Sequence, residues 1–225
     1  MALMFCSDEH HRELVEALGE EVGTTLYLVE CELLALNNDY YWYKALFGTS
    51  SERVEILKKA AGSIAAVVDE AMYDEVLARI ARLLDRESTF GKKNLSLKRL
   101  VMVCEKNQSI ARDVINSVKS QIDAIDLEAN KICFLRDKAL SHNDLKYVSE
   151  DSKGYGRPSR AEINHVIELM ERLCNTIRLS KDMPECDYSP AGQKAHDNRL
   201  FFALEKGLEI LDTPEGFRDF LFWRG

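Results

Sequence analysis

An arginine and a histidine stand six positions apart in the segment RDKALSHND, which runs from Arg136 to Asp144. Histidine takes up and releases a proton near neutral pH, and arginine offers a fixed fork of donors to phosphate oxygens. Such a pair can cleave RNA without a metal if the 2′-hydroxyl attacks the adjacent phosphorus. His142 would then move the proton, and Arg136 would stabilise the charge that grows on the phosphate. Asp137 either positions these polar groups or only solvates the helix.

The same two cations also have a purely structural explanation at the end of a helix. There they favour the negative end of the helix dipole and can bond to free carbonyl groups. On a regular helix, six residues correspond to a rotation of about 600°, so Arg136 and His142 would point roughly 120° apart. A break near Ser141, or a second copy of the motif, would bring them together.

The helix that must position Arg136 has an apolar stripe in three- and four-residue steps. Its members are Val118, Ile122, Ile125, Ala129 and Ile132. Arg136 is the next member of this stripe. A guanidinium on a core-facing row must find a carboxylate, reach water or line a cleft, because an unpaired buried charge is very costly. The stripe therefore predicts a polar environment around Arg136.

Composition favours an all-α, single-domain protein over residues 1–225. The chain has 46% hydrophobic residues, only 4 prolines and 11 glycines, and long stretches rich in helix formers. Its 30 basic and 38 acidic residues give a net charge of -8. This charge argues against a broad surface for nucleic-acid phosphates, although a small basic site is compatible with it.

No run of uncharged residues approaches the roughly 18 that a membrane span needs, and the first residues do not resemble a secretory signal. We therefore expect a soluble, cytoplasmic protein without a membrane partner. The six cysteines show no zinc-type spacing, so they are interpreted as mostly buried, reduced thiols. No cofactor is expected.

Helical periodicity predicts an antiparallel bundle with loops at 87–94, 149–160 and 180–198. The predicted helices are 8–36, a short aromatic one at 38–47, a long one from Ser50 or Ser51 to Leu83 or Leu84, 95–105, 109–140, 160–179 and a C-terminal one through Leu211.

A local basic patch precedes the motif helix and comprises Lys92, Lys93, Lys98 and Arg99. It is either a solvated charged face or a guide for an RNA backbone. The candidate RNA-binding residues are Lys92, Lys93, Lys138, Asn143 and Lys146. The aromatic run from Tyr40 to Tyr43 could stack on bases, but a core plug explains it better.

A different class of site is suggested by Glu162 and His165, whose three-residue spacing occurs in di-iron helical bundles. Such a site needs this pair twice together with further glutamates. A metal-holding bundle is therefore kept as an alternative hypothesis, and no metal ligand is assigned.

The motif and its surroundings resemble the HEPN superfamily, which is marked by an arginine, an adjacent polar residue and a histidine after four to six intervening residues. Here these are Arg136, Asp137 and His142, with five residues between the arginine and the histidine. The phrases ARLLDRESTFGKKNLSLKRL at 81–100 and LRDKALSHND are similar to the abortive-infection U-type branch of that superfamily. The resemblance covers about 39–179.

This resemblance implies a HEPN-type helical bundle with additional N- and C-terminal helices, in which a two-fold dimer brings two motifs into one cleft. It implies a metal-independent endoribonuclease, often a toxin in phage defence, with Arg136 and His142 as catalytic residues and Asp137 in support. An antitoxin protein is an implied partner. HEPN toxins that are regulated by nucleotide transfer often carry a tyrosine two residues after the histidine. This chain has Asp144 at that position, so we do not expect this form of regulation. A non-catalytic HEPN module that binds RNA or a protein is the alternative.

Overall fold

The computed structural model describes residues 7–137, 156–190 and 194–213, and within them the chain is almost entirely helical. The helices are α1 (Asp8–Leu18), α2 (Glu20–Tyr43), α3 (Ser51–Ala61), α4 (Ser63–Leu83), α5 (Leu97–Lys106), α6 (Arg112–Glu128), α7 (Asn130–Leu135), α8 (Arg160–Leu179) and α9 (Lys194–Leu211). A π-helical turn, Lys44–Gly48, follows α2, and two short antiparallel strands, β1 (Ser88–Thr89) and β2 (Lys92–Lys93), precede α5. The all-α bundle is confirmed, and the predicted loop at 87–94 contains this small hairpin.

Two helices predicted as continuous are broken at glycines. Gly19 separates α1 from α2, and Gly62 separates α3 from α4; both have positive φ, at 81° and 55° respectively. Glycine adopts this backbone region without the steric cost that a side chain brings. Serine side chains cap the helices as expected: Ser50 accepts from the backbone N–H of Arg53, and Ser159 forms a capping box with Glu162.

The chain divides into two compact units. The first comprises 1–37 and 74–189, and the second comprises 38–73 and 190–225. In the first unit, α6 packs against α8 and α5 packs against α6. Its core includes the whole predicted stripe, since Val118, Ile122, Ile125, Ala129 and Ile132 are all buried.

In the second unit, α3 packs against α9 and against the π-helical turn. Tyr40 is buried with its ring stacked near that of Tyr43, and the Tyr43 ring contacts Phe47 and Tyr73. The aromatic run therefore contributes to packing, as the sequence favoured. No helix within residues 7–137, 156–190 and 194–213 combines the length and apolarity needed to cross a bilayer.

A buried ionic network holds the first unit together. Glu30 is 0% exposed, and its carboxylate accepts from Arg178 Nη1 at 3.1 Å and from the Tyr188 hydroxyl at 3.1 Å. His10 Nε2 lies 2.8 Å from Glu30 Oε2. Each oxygen of this carboxylate thus has a partner, which offsets the cost of burying its charge.

The segment after α8 is tied back to the same unit at three points. Arg178 Nε donates to the Pro184 carbonyl at 2.7 Å, and Asn175 exchanges two hydrogen bonds with the backbone of Cys186. The Tyr188 side chain is only 3% exposed. Residues up to Ser189 therefore belong to the first unit.

Candidate functional site

Arg136 lies where the α-helical geometry of the motif helix ends. The helix predicted as continuous over 109–140 is observed as α6 and α7, interrupted at Ala129, and α7 ends at Leu135. Arg136 and Asp137 then adopt π-helical geometry. Such departures are frequent at functional sites. The angle of roughly 120° between Arg136 and His142 was derived for a regular helix through both residues. The α-helix ends before Arg136, and His142 lies outside the described residues.

Two carboxylates hold the Arg136 guanidinium. Its Nη2 donates to Asp85 Oδ1 at 2.9 Å, and its Nε lies 2.6 Å from Asp137 Oδ1. The Arg136 side chain is 21% exposed and that of Asp85 is 35% exposed. The polar environment that the stripe predicted is therefore present, and it opens to solvent.

The electrostatics of the site keep the arginine charged. Burial acts to lower the pKa of Arg136, but the hydrogen bond that it donates to Asp85 and the negative charges of Asp85 and Asp137 outweigh burial, so the pKa is raised. One turn earlier, burial raises the pKa of the Cys133 thiol despite the nearby positive charge of Arg136. A neutral thiol is a poor nucleophile, so Cys133 is a poor candidate for a nucleophile beside Arg136.

Asp85 is the site residue that sequence reasoning missed. It follows α4 directly after the buried Leu83 and Leu84, and it lies 51 positions from Arg136 in the chain. No spacing rule connects positions so far apart. One signal was available: a carboxylate just beyond a helix C-terminus opposes the helix dipole, which suggests that it has a partner elsewhere.

The remaining candidates fall into three groups. His142, Lys138, Asn143 and Lys146 lie outside the described residues. Asp137 lies beside Arg136, with its Oδ1 atom 2.6 Å from Arg136 Nε. Lys92 and Lys93 are exposed on β2.

The rest of the basic patch is engaged in ion pairs. Lys98 pairs with Asp126 at 2.8 Å, and Arg99 pairs with Glu21 at 3.2 Å. The patch therefore consists of two paired cations on α5 and two exposed lysines on the hairpin.

The di-iron alternative finds no support at Glu162. Its carboxylate accepts from the Ser159 backbone N–H at 2.6 Å and from Lys131 Nζ at 3.1 Å. Hydrogen bonds from Ser159 and then Lys131 lower the pKa of Glu162 to about 2. Within residues 7–137, 156–190 and 194–213, no group of three or more histidine, cysteine or acidic side chains is arranged to hold a metal ion.

Four of the cysteines that the structure describes fit the interpretation as free thiols. Cys104 and Cys174 are buried and free, and Cys133 and Cys186 are half-buried and free. Burial raises the pKa of Cys104 to about 12 and that of Cys186 to about 11. These two thiols are therefore protonated at neutral pH.

The chain matches a family model. A family model for HEPN proteins, described as AbiU2, matches residues 8–179. The match includes Arg136, Asp85 and the hairpin. Neither the curated proteins nor the solved structures yield a match.

Proposed function

Since the chain belongs to the AbiU2 family of HEPN proteins, we propose that it is a metal-independent endoribonuclease acting in abortive infection, a toxin whose site forms in a homodimer. Arg136 and His142 are the catalytic residues and Asp137 supports them. The observation that carries this proposal is the Arg136 guanidinium, one-fifth exposed at the end of α7 and held in place by Asp85 and Asp137.

The proposed reaction needs only groups in the RNA and in the motif. The 2′-hydroxyl oxygen attacks the adjacent phosphorus, and the bond from phosphorus to the 5′-oxygen breaks. His142 takes the proton from the 2′-hydroxyl and delivers it to the leaving 5′-oxygen. The products are a 2′,3′-cyclic phosphate and a 5′-hydroxyl. Arg136 donates to the phosphate oxygens where negative charge accumulates, which is the type of stabilisation whose loss costs about a hundred- to a thousandfold in rate.

The test is cleavage of an end-labelled RNA in EDTA by the wild type, Arg136→Ala and His142→Ala. Arg79→Ala is the matched control, because Arg79 is also 21% exposed and pairs with a carboxylate, Glu32, at 3.1 Å. We expect both motif variants to lose activity and the control to retain it. Equal cleavage by the wild type and His142→Ala would exclude the proposal, as would cleavage of a fully 2′-O-methylated strand.

A composite site in the homodimer predicts complementation. If Arg136 of one protomer acts with His142 of the partner subunit, mixing the Arg136→Ala and His142→Ala proteins under exchange conditions restores activity. If both residues act within one protomer, the mixed dimer has no intact site and remains inactive. Size-exclusion chromatography with light scattering establishes whether a dimer forms.

A non-catalytic HEPN module is the second candidate. Two carboxylates already engage Arg136, and the net charge is -8; both features disfavour an incoming phosphate. An antitoxin or another protein would then be the ligand. This candidate predicts specific partner capture that His142→Ala leaves unchanged, with no cleavage of RNA by the wild type.

A further inference from the structure

The hairpin before α5 presents an aromatic side chain to solvent at its tip. Ser88 pairs with Lys93 and Thr89 pairs with Lys92, which leaves Phe90 and Gly91 as the two turn residues. The Phe90 side chain is fully exposed, with a relative accessibility of 102%. Packing in a core therefore does not explain why phenylalanine stands at this position.

The backbone conformation of the turn does not explain the phenylalanine at position 90 either. Phe90 has φ 49° and Gly91 has φ 77°, so both turn residues are in the left-handed region. A two-residue turn of this kind favours asparagine, aspartate or glycine at the first position, and a bulky residue there is strained. Strained residues persist where the surrounding structure enforces them, often at ligand sites.

Hydrogen bonds from Asn94 fix the conformation of the hairpin. The Asn94 side chain donates to the Arg86 carbonyl and to the Thr89 hydroxyl, each at 2.8 Å, and its backbone N–H donates to the Glu87 carbonyl at 3.0 Å. These three bonds close the base of the hairpin. The backbone that carries Phe90 is thus held at a defined place.

The charge around the ring is positive in a chain whose net charge is negative. Arg86, Lys92 and Lys93 are exposed, against one acidic residue of the hairpin, Glu87. Among the residues that the structure describes, neither Lys92 nor Lys93 has an ion-pair partner, unlike Lys98 and Arg99 on α5. These lysines are available to a polyanion.

The hairpin is also continuous with the candidate site. Asp85, which holds Arg136 at 2.9 Å, directly precedes it. Phe90 is five positions after Asp85, so their Cα atoms are at most about 18 Å apart. A short strand that reaches Arg136 can therefore also reach the hairpin.

We propose that this hairpin is a single-strand RNA subsite in which the Phe90 ring stacks on a nucleobase and Lys92 and Lys93 contact backbone phosphates. The proposal rests on the proposed function in taking RNA as the ligand, and it specifies unpaired RNA. Bases in a duplex already stack on each other, whereas an unpaired base leaves its face open to an aromatic side chain.

Binding is measured with a fluorescein-labelled, fully 2′-O-methylated strand of about twelve nucleotides, a length suited to single-strand sites. This probe lacks the attacking hydroxyl, so binding is read independently of cleavage. We expect Phe90→Ala to weaken binding about five- to a hundredfold, the range for loss of one stacked base. Phe90→Trp should retain affinity, and Phe90→Leu should behave like alanine.

Leu127→Ala is the matched control, because Leu127 is an exposed apolar residue of the same unit, 75% accessible on α6. It should bind as the wild type does. Lys92→Ala and Lys93→Ala should each reduce the slope of log affinity against log salt by about one, and Lys106→Ala, at the far end of α5, should leave it unchanged. Thermal unfolding of Phe90→Ala should match the wild type, since the ring is exposed.

The outcomes separate this subsite from the nuclease. Equal affinity of Phe90→Ala and the wild type overturns the subsite, as does full affinity of Phe90→Leu or failure of the wild type to bind the probe. Loss of a protein partner without loss of RNA affinity also overturns it. Cleavage that requires Arg136 but is unaffected by Phe90→Ala leaves the nuclease standing without the subsite. Binding that requires Phe90, without any cleavage of RNA, supports the subsite and excludes the nuclease.

Discussion

Two arginine–carboxylate pairs in the first unit differ in how far they are closed to solvent. The Arg178 side chain is 6% exposed and Glu30 is 0% exposed, with Tyr188 and His10 completing the carboxylate's contacts. The side chains of Arg136 and Asp85 are 21% and 35% exposed. A sealed pair cannot exchange its partner for a ligand without unfolding its surroundings. An open pair can, because solvent or phosphate can replace the carboxylate.

The largest effect that would test this contrast is on stability at the sealed pair. Glu30→Ala leaves Arg178 buried without its carboxylate, which should lower the free energy of unfolding by about 3–5 kcal/mol. Urea denaturation measures the change. Glu32→Ala is the control, because Glu32 lies on the same helix, is 33% exposed and pairs with Arg79 at 3.1 Å; it should cost about 1 kcal/mol or less. Similar losses for both variants would contradict the contrast.

The open pair should show a small effect on stability and a different one on activity. Asp85→Asn retains the size of the side chain and removes its charge, so the free energy of unfolding should fall by only about 1 kcal/mol or less. If Asp85 positions Arg136, cleavage should slow mainly through kcat, because the misplaced guanidinium stabilises the transition state less well. A loss of stability comparable with that of Glu30→Ala would show that the pair is structural.

The smallest expected effect on stability is at Glu162, an exposed carboxylate whose contribution depends on pH. The pKa of Glu162 is lowered to about 2 from an ordinary value of 4.5. Its contribution to stability is therefore present above about pH 4.5 and is lost as the pH falls towards about 2. Glu162→Gln should flatten the stability profile in that window, because it removes the contribution at neutral pH and leaves the stability near pH 2 unchanged. The loss at neutral pH should be small, since the side chain is exposed and the interaction is screened by solvent. An unaltered profile would show that other carboxylates govern acid unfolding.

The sequence predicted well what depends on local chemistry. The helix that Ser159 caps was expected over 160–179, and α8 is Arg160–Leu179. The stripe from Val118 to Ile132 was expected to be buried, and it is. Both follow from caps and periodicity, which act within a few residues.

Features that depend on distant parts of the chain were not predicted. Glycine in a helix is tolerated, so the break at Gly19 could not be distinguished from a continuous helix by local pattern alone. At the break, α1 and α2 come into close contact. A Cβ at Gly23 of α2 would lie 2.5 Å from the Leu14 carbonyl oxygen of α1. Asp85 lies 51 positions from Arg136, and Arg178 lies 148 positions from Glu30, beyond any spacing rule.

The contacts of the segment after α8 determine where the first unit ends. The family match ends at residue 179, but the contacts of Pro184, Cys186 and Tyr188 continue the first unit to Ser189. A chain truncated at 179 would retain Glu30 and Arg178 but lose the tyrosine that donates to one and the carbonyl that accepts from the other. Limited proteolysis should therefore find its first stable boundary ten residues beyond the edge that family comparison suggests.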